Sequence, residues 1–295
     1  MGRRHKKNAV TAPPKKPCII FNTVPKSGSV YITMTLQTGL TYSYMSISPG
    51  YVPHDDINVD LLNDFFNAGT YITQEHLDAS ILNTDLLKRY TDKIVVHFRD
   101  PRAVLLSWTH HMNNLNDHNH YYLLDYVTPT PPREYYNWNL EQQIDWQIEN
   151  FLPNIVTWMN DWLEFKAKEE NNASAFKVLI TTYEDFHTNE LEFYYKILDF
   201  YGIPRGEFKF NPPAKNANTH FRNGEIEEWR SVFTERQLQR INQIVPDELL
   251  ERFNWGATLS NKTPILTVYS QDISMQQNIM DILNRDFKKI EPGLN

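Results

Sequence analysis

Short apolar runs and helical stripes follow one another along this 295-residue chain, and the alternation between them outlines its fold. Cys18–Val24 is an apolar run closed by Pro25, the pattern of a buried strand. Tyr31–Leu40 predicts a helix, and Ile57–Phe66 a second one inside a segment spanning 53–68. Tyr71–Thr73 predicts a short strand and Leu82–Tyr90 a helix. Lys93–Phe98, KIVVHF, is the clearest strand, being β-branched, apolar and bounded by charge. Arg102–His111 follows as a helix, with Pro101 at its start, where a missing N–H costs nothing.

Residues 112–138, rich in Asn, His, Tyr and Pro, predict a long loop of the kind that covers a site. Beyond it, Ile144, Ile148, Phe151, Leu152, Ile155, Met159, Trp162 and Leu163 recur at helical spacing. They predict one long amphipathic helix over 139–170, or two in series. Ala175–Thr181 predicts a strand, Asn189–Tyr201 a helix stopped by Gly202 and Pro204, and Ser274–Lys289 a C-terminal amphipathic helix. Strands alternating with helices imply an α/β fold, a single domain whose mostly parallel central sheet carries helices on both faces. The body is expected over 17–258. A basic solvated tail precedes it over 1–16, and an extension over 259–295 packs its helix on the domain.

Charge narrows the possible partners. The net charge of −7 argues against a nucleic-acid binder. The basic residues Arg3, Arg4, Lys6, Lys7, Lys15 and Lys16 crowd the start with no acid among them, which suits a solvated tail. That start runs into Ala12-Pro13-Pro14 rather than an apolar stretch, so no signal peptide is expected. No apolar run reaches the length of a membrane span. The one cysteine, Cys18, allows no internal disulfide and points to a reducing, cytoplasmic setting.

Two segments carry the chemistry. Val24-Pro25-Lys26-Ser27-Gly28-Ser29-Val30-Tyr31 links the first strand to a helix start. A helix N-terminus offers unpaired N–H groups and partial positive charge to an anion. Gly28 permits close backbone approach, Ser27 and Ser29 add hydroxyls, and Lys26 adds a full charge. The spacing is not that of a Walker A loop. The second segment is Arg99-Asp100-Pro101-Arg102 at the end of the KIVVHF strand, with Ser107 eight residues beyond Arg99. Arginine supplies a fork of donors and serine a hydroxyl, together suited to a phosphate.

These two segments, in this order, resemble the PAPS-dependent sulfotransferases, which transfer a sulfuryl group from 3′-phosphoadenosine-5′-phosphosulfate (PAPS) and release PAP. The family's 5′-phosphosulfate loop runs approximately T-Y-P-K-S-G-T-T-W. Here Ser29 and Val30 replace its two threonines, and Tyr31 stands where its tryptophan stacks on adenine. The Arg99 to Ser107 spacing matches the family's 3′-phosphate motif. Tyr183-Glu184-Asp185 resembles its Y-E-D, whose tyrosine contacts the nucleotide. Arg222-Asn223-Gly224 is similar to its R-K-G loop, with Asn223 for the lysine, and Trp229 and Phe233-Thr234 continue that likeness, with Glu227 for a glycine. The resemblance covers about 18–255 and implies a P-loop-like sulfotransferase fold.

The same resemblance implies a general base in the interval before the arginine strand. Gln74-Glu75-His76-Leu77 occupies the place of the family's K-T-H-L-P. His76 is the expected base, since imidazole titrates near neutrality, and Glu75 is the alternative. Lys26 is expected to stabilise the leaving phosphate, with Ser107 restraining that lysine. Lys26, Ser27, Gly28, Ser29, Val30, Tyr31, Arg99, Ser107, Tyr183, Arg222, Asn223 and Gly224 are expected to bind the nucleotide. No metal is expected, although His110, His111, His118 and His120 crowd the predicted loop. The expected acceptor is a small molecule with a hydroxyl or amine, such as a secondary metabolite. A non-catalytic PAP-binding protein and a P-loop-type kinase are the competing readings; the absent Walker A weighs against the kinase.

Overall fold

The computed structural model describes residues 16–49, 55–124, 126–214 and 224–256. The expected N-terminal tail over 1–16, apart from Lys16, the C-terminal extension with its Ser274–Lys289 helix, and the site residues Arg222 and Asn223 lie outside the described residues.

Five strands form one sheet: β1 (Ile19–Thr23), β2 (Ser43–Tyr44), β3 (Tyr71–Glu75), β4 (Lys93–Phe98) and β5 (Lys177–Thr182). Their spatial order is β2-β3-β1-β4-β5, and every pairing is parallel. The expectation of a mostly parallel sheet is met in full. The helices between them are α1 (Ser29–Leu40), α2 (Val59–Ala68), α3 (Ile81–Tyr90), α4 (Pro101–Asp117), α5 (Tyr121–Leu124), α6 (Leu140–Asn150), α7 (Leu152–Asn171), α8 (Tyr183–Thr188) and α9 (Glu190–Tyr201). After the sheet come α10 (Trp229–Val232), α11 (Glu235–Ile244) and α12 (Asp247–Arg252).

Strand alternation divides the core between the two faces, because successive side chains point to opposite sides. Ile19, Phe21 and Val95 join α1, α8 and α9 in one apolar cluster, around Ile32, Leu36, Phe186 and Ile197. Ile20, Ile94, Val96 and Phe98 join the other, built on α2, α3, α4, α6 and α7. Each layer is therefore one half of a sandwich around the sheet, as expected of a parallel sheet covered on both faces.

One expectation needs correction. The segment 112–138 is not one long loop. Helix α4 runs on to Asp117, because Met112 and Leu115 continue the buried stripe begun by Leu105 and Trp108. Beyond it lie α5 and a 3-10 turn at Arg133–Asn137, whose Tyr135 is wholly buried. The 139–170 stripe resolves into two helices, with Pro153 in the first turn of α7 and a capping box at Asn139 starting α6. Such a cap stabilises a helix by about 1 kcal/mol.

The order of strands positions the site. From the central β1 the chain moves outward to β2 and β3 on one side, then returns to β4 and β5 on the other. In open parallel sheets ligands bind beyond the carboxyl ends of the strands where that direction reverses. The loop after β1, Arg99 after β4, His76 after β3 and Tyr183 after β5 all stand at that edge.

Candidate active site

The loop after β1 is built by its own residues and by β4. The Ser27 hydroxyl donates to Val24 O at 2.8 Å, closing the turn, and Val24 N donates to His97 O at 3.0 Å. Lys26 has φ 62° and Gly28 φ 78°. A left-handed conformation costs a lysine about 1–2 kcal/mol, so something must hold it there. Arg99 does so by donating from Nη1 to Lys26 O at 2.7 Å. Gly28 is needed for space as well as for φ, since an added Cβ would lie 2.9 Å from Cε2 of Tyr183. Ser29 and Val30 open α1, and among the described residues the N–H groups of Ser27, Gly28, Ser29 and Val30 donate no hydrogen bond. These are the orphan donors of a helix start.

Arg99 gathers the other pieces. Its guanidinium lies over the Tyr183 ring, 4.3 Å from the centroid, and Nη2 donates to Glu225 O at 3.1 Å. The Tyr183 hydroxyl donates to Gly224 O at 3.2 Å. The segments around Lys26, Arg99, Tyr183 and Gly224 are thus in direct contact, as a single nucleotide site requires. Arg99 is 8 % exposed, and its Nε has no hydrogen-bond partner among the described residues. An unsatisfied buried donor on a cation suits an anion, and the residues present fit the phosphates of PAPS.

Ser107 stands half-buried on α4, about two turns from its start, and takes no part in these contacts among the described residues. Arg102 is a structural arginine. It pairs with Asp100, with Nη2–Oδ2 at 2.8 Å, donates to Trp255 O and lies 4.1 Å over the Trp229 ring. Tyr31 packs edge-on against Phe186 at 5.9 Å, and partial burial with the nearby Glu190 raises its hydroxyl pKa.

His76 follows β3 directly, half-buried, and its Nδ1 donates to Thr23 O at 2.6 Å. A carbonyl can only accept, so the neutral ring carries its lone pair on Nε2. The backbone under it is held firmly. Leu77 O accepts from Asn22 Nδ2 at 3.0 Å, Trp158 Nε1 at 2.8 Å and Trp162 Nε1 at 2.9 Å. Leu77 N in turn donates to Asn22 Oδ1 at 2.7 Å.

Glu75 points into a buried polar cluster. Its carboxylate accepts from Ser46 Oγ, Ile47 N at 2.8 Å, Ser48 Oγ at 2.5 Å and Thr73 Oγ1. Ser48 Oγ also lies 3.2 Å from Asp55 Oδ2. Burial pushes both carboxyls up, Asp55 to about 8, with the Glu75 charge its second cause. A carboxylate filled by four donors braces a loop. Gln74 is half-buried and pairs with Phe21 in the sheet.

His110 and His111 belong to α4, while His118 and His120 stack beyond its end at 6.3 Å. Among the described residues no three His, Cys, Asp or Glu side chains gather as a metal site. A cavity of about 540 Å³, lined by Lys16, Cys18, Lys88 and Lys93, opens at the amino ends of β1 and β4, far from this edge. Sequence reasoning missed Asn22 and His97, polar residues wholly buried in strands. Their one signal is polarity inside an apolar run, which demands a partner without naming it.

Fold and site define a three-layer α/β protein in which the loops after β1 and β4 meet at the carboxyl edge of its sheet. A sequence model of the sulfotransferase domain matches residues 63–253, and the chain belongs to that family. The match begins after the Lys26 loop. Sulfotransferase 6B1 of Danio rerio is 22% identical over 198 residues, covering 61% of this chain and 58% of the relative. The chain thus matches less than two thirds of that relative's length. The fold is that of mouse sulfotransferase SULT7A1 complexed with PAP, with a TM-score of 0.52 at 15% identity over 78% of this chain and 83% of the other.

Proposed function

We propose that the protein transfers a sulfuryl group from PAPS to a hydroxyl or amine of a small-molecule acceptor. The observation that carries this reading is the bond from Arg99 to Lys26 O at 2.7 Å, with Tyr183 beneath the guanidinium. It draws two anion-binding segments, 73 residues apart, into one edge suited to a ligand phosphorylated at two ends.

The acceptor oxygen attacks sulfur while the bond from sulfur to the phosphate oxygen breaks, leaving PAP. His76 takes the acceptor proton at Nε2, the position its bond to Thr23 O reserves for the lone pair. The Lys26 charge and the N–H groups that open α1 stabilise the leaving phosphate. Arg99, through its buried Nε, binds the 3′-phosphate, and Arg222, Asn223 and Gly224 contribute to binding the same group. Ser107 adds a phosphate contact, and Tyr31 flanks the adenine. No step requires a metal. Among the described residues no helix is long and apolar enough to cross a membrane. Cys18, buried beside Phe65 O at 3.4 Å, suits a reducing compartment, and we place the protein in the cytoplasm.

Thermal unfolding with PAP or with ATP and Mg²⁺, followed by an acceptor screen with radiolabelled PAPS, tests this. PAP at a hundred times its Kd is expected to raise Tm by about 5–10 °C without metal. Stabilisation by Mg²⁺-ATP alone would identify a kinase instead. PAP binding with no acceptor labelled across the screen would identify a non-catalytic binder.

A further inference from the structure

His97 lies in β4, two residues before Arg99, so the two side chains leave the strand on the same side. Both reach the loop after β1, and they hold consecutive carbonyls: Arg99 holds Lys26 O at 2.7 Å, and His97 Nε2 donates to Ser27 O at 3.1 Å. The other ring nitrogen, Nδ1, accepts from Thr181 Oγ1 at 2.9 Å on the neighbouring β5. His97 is wholly buried, between Phe21 at 5.2 Å and Phe193 at 5.4 Å. Burial lowers its pKa to about 3, with Arg99 pushing the same way, so the ring stays neutral with its proton on Nε2.

The consequence follows from the peptide plane. In a trans peptide the C=O and the next N–H point in opposite directions. The described residues contain one cis bond, Thr128–Pro129, so the Ser27–Gly28 peptide is trans. Drawing Ser27 O inward turns Gly28 N–H away from the sheet, toward the outer face of the loop. Arg99 does the same for Ser27 N–H by holding Lys26 O. Successive outward N–H groups in a loop with left-handed residues make an anion-binding concavity.

We propose that His97 is a positioning residue of the phosphosulfate site, a neutral strut that aims the Gly28 N–H at the anion. Thr181 sets its tautomer. Without the strut, Ser27 O would rotate toward the anion and oppose it. This rests on the reading of the loop as the PAPS site, and the test separates the two.

Calorimetry with PAP on wild-type, His97→Gln, His97→Phe and Thr181→Val gives the comparison. Glutamine keeps a donor at the Nε2 position, and phenylalanine keeps only the shape. His97→Phe is expected to lose about ten-fold in PAP affinity, the equivalent of one hydrogen bond, with His97→Gln within about three-fold of wild type. Thr181→Val should fall between them. Wild-type affinity in folded His97→Phe would overturn the proposal, as would equal losses in His97→Phe and His97→Gln. Should His97→Phe fail to fold, Thr181→Val binding PAP as wild type does would overturn it too. If the wild type binds no PAP, the functional reading fails while the strut stays testable by ¹⁵N resonances of the histidine rings. A neutral ring protonated on Nε2 down to about pH 4 supports it, and the Nδ1-protonated tautomer refutes it.

Discussion

In the proposed mechanism His76 is the general base, and that role separates from binding. Replacing it with alanine should lower kcat by about 10²–10⁴ while PAP affinity and Tm stay near wild type, measured by single-turnover assay, calorimetry and thermal unfolding. Retained turnover would remove His76 from the mechanism. Gly28 fails differently. Gly28→Ala puts a Cβ against Tyr183 at φ 78°, which should destabilise by about 1–3 kcal/mol and weaken PAP binding. A variant as stable and as tight as wild type would show that Tyr183 yields. Lys26, Arg99 and His76 were legible in the sequence because each sits in a local string beside a strand end. His97 and Asn22 were not, because their partners lie 70, 84 and 55 residues away and only pairing of the strands brings them together.

Elements were legible wherever the apolar period was continuous. Lys93–Phe98 has the expected bounds, and Gly202 at φ 70° ends α9 as its position suggested. Residues 112–138 misled, because Asn113, Asn114 and Asn116 on the outer side of α4 masked the buried Met112 and Leu115. The two-residue β2 has too little pattern to read. Residues 45–49 and 55–58 are fixed by groups the pattern does not announce. Glu75 holds Ile47 N and two serines, His76 O accepts from Asp55 N at 3.1 Å, and Asn83 Oδ1 accepts from Ile57 N at 2.9 Å. The clamp has a pH signature. Asp55, with a carboxyl raised to about 8 by burial and by Glu75, holds its proton in the folded state after the unfolded chain has lost it. It therefore weakens stability as pH rises from about 4 to 8, by up to ~1.4 kcal/mol per unit. His97, neutral when folded, acts oppositely as pH falls below about 6.5, so the wild-type curve alone hides both. Denaturant unfolding of Asp55→Asn against wild type isolates the effect. The variant should gain relative stability from pH 4 upward and level off above about 8. A gap independent of pH would contradict the assignment.

At the scale of the molecule, alternation of strands and helices announced the α/β class, and the two anion strings announced the family. Strand order did not appear in the sequence, since it depends on pairings that no local pattern records. That order brings the ends of β1, β3, β4 and β5 to one edge, and the account rests on that edge being one site for one ligand. Calorimetry with PAP and with adenosine 5′-monophosphate, which lacks the 3′-phosphate, on wild type, Lys26→Ala and Arg99→Ala tests it most directly. One PAP per chain is predicted, with Lys26→Ala weakening both ligands about ten-fold and Arg99→Ala weakening PAP about 10–100-fold but the monophosphate by less, since for that ligand only the lost hold on Lys26 O counts. Equal losses for both ligands in Arg99→Ala, or two PAP molecules bound independently, would contradict a single site spanning the two loops.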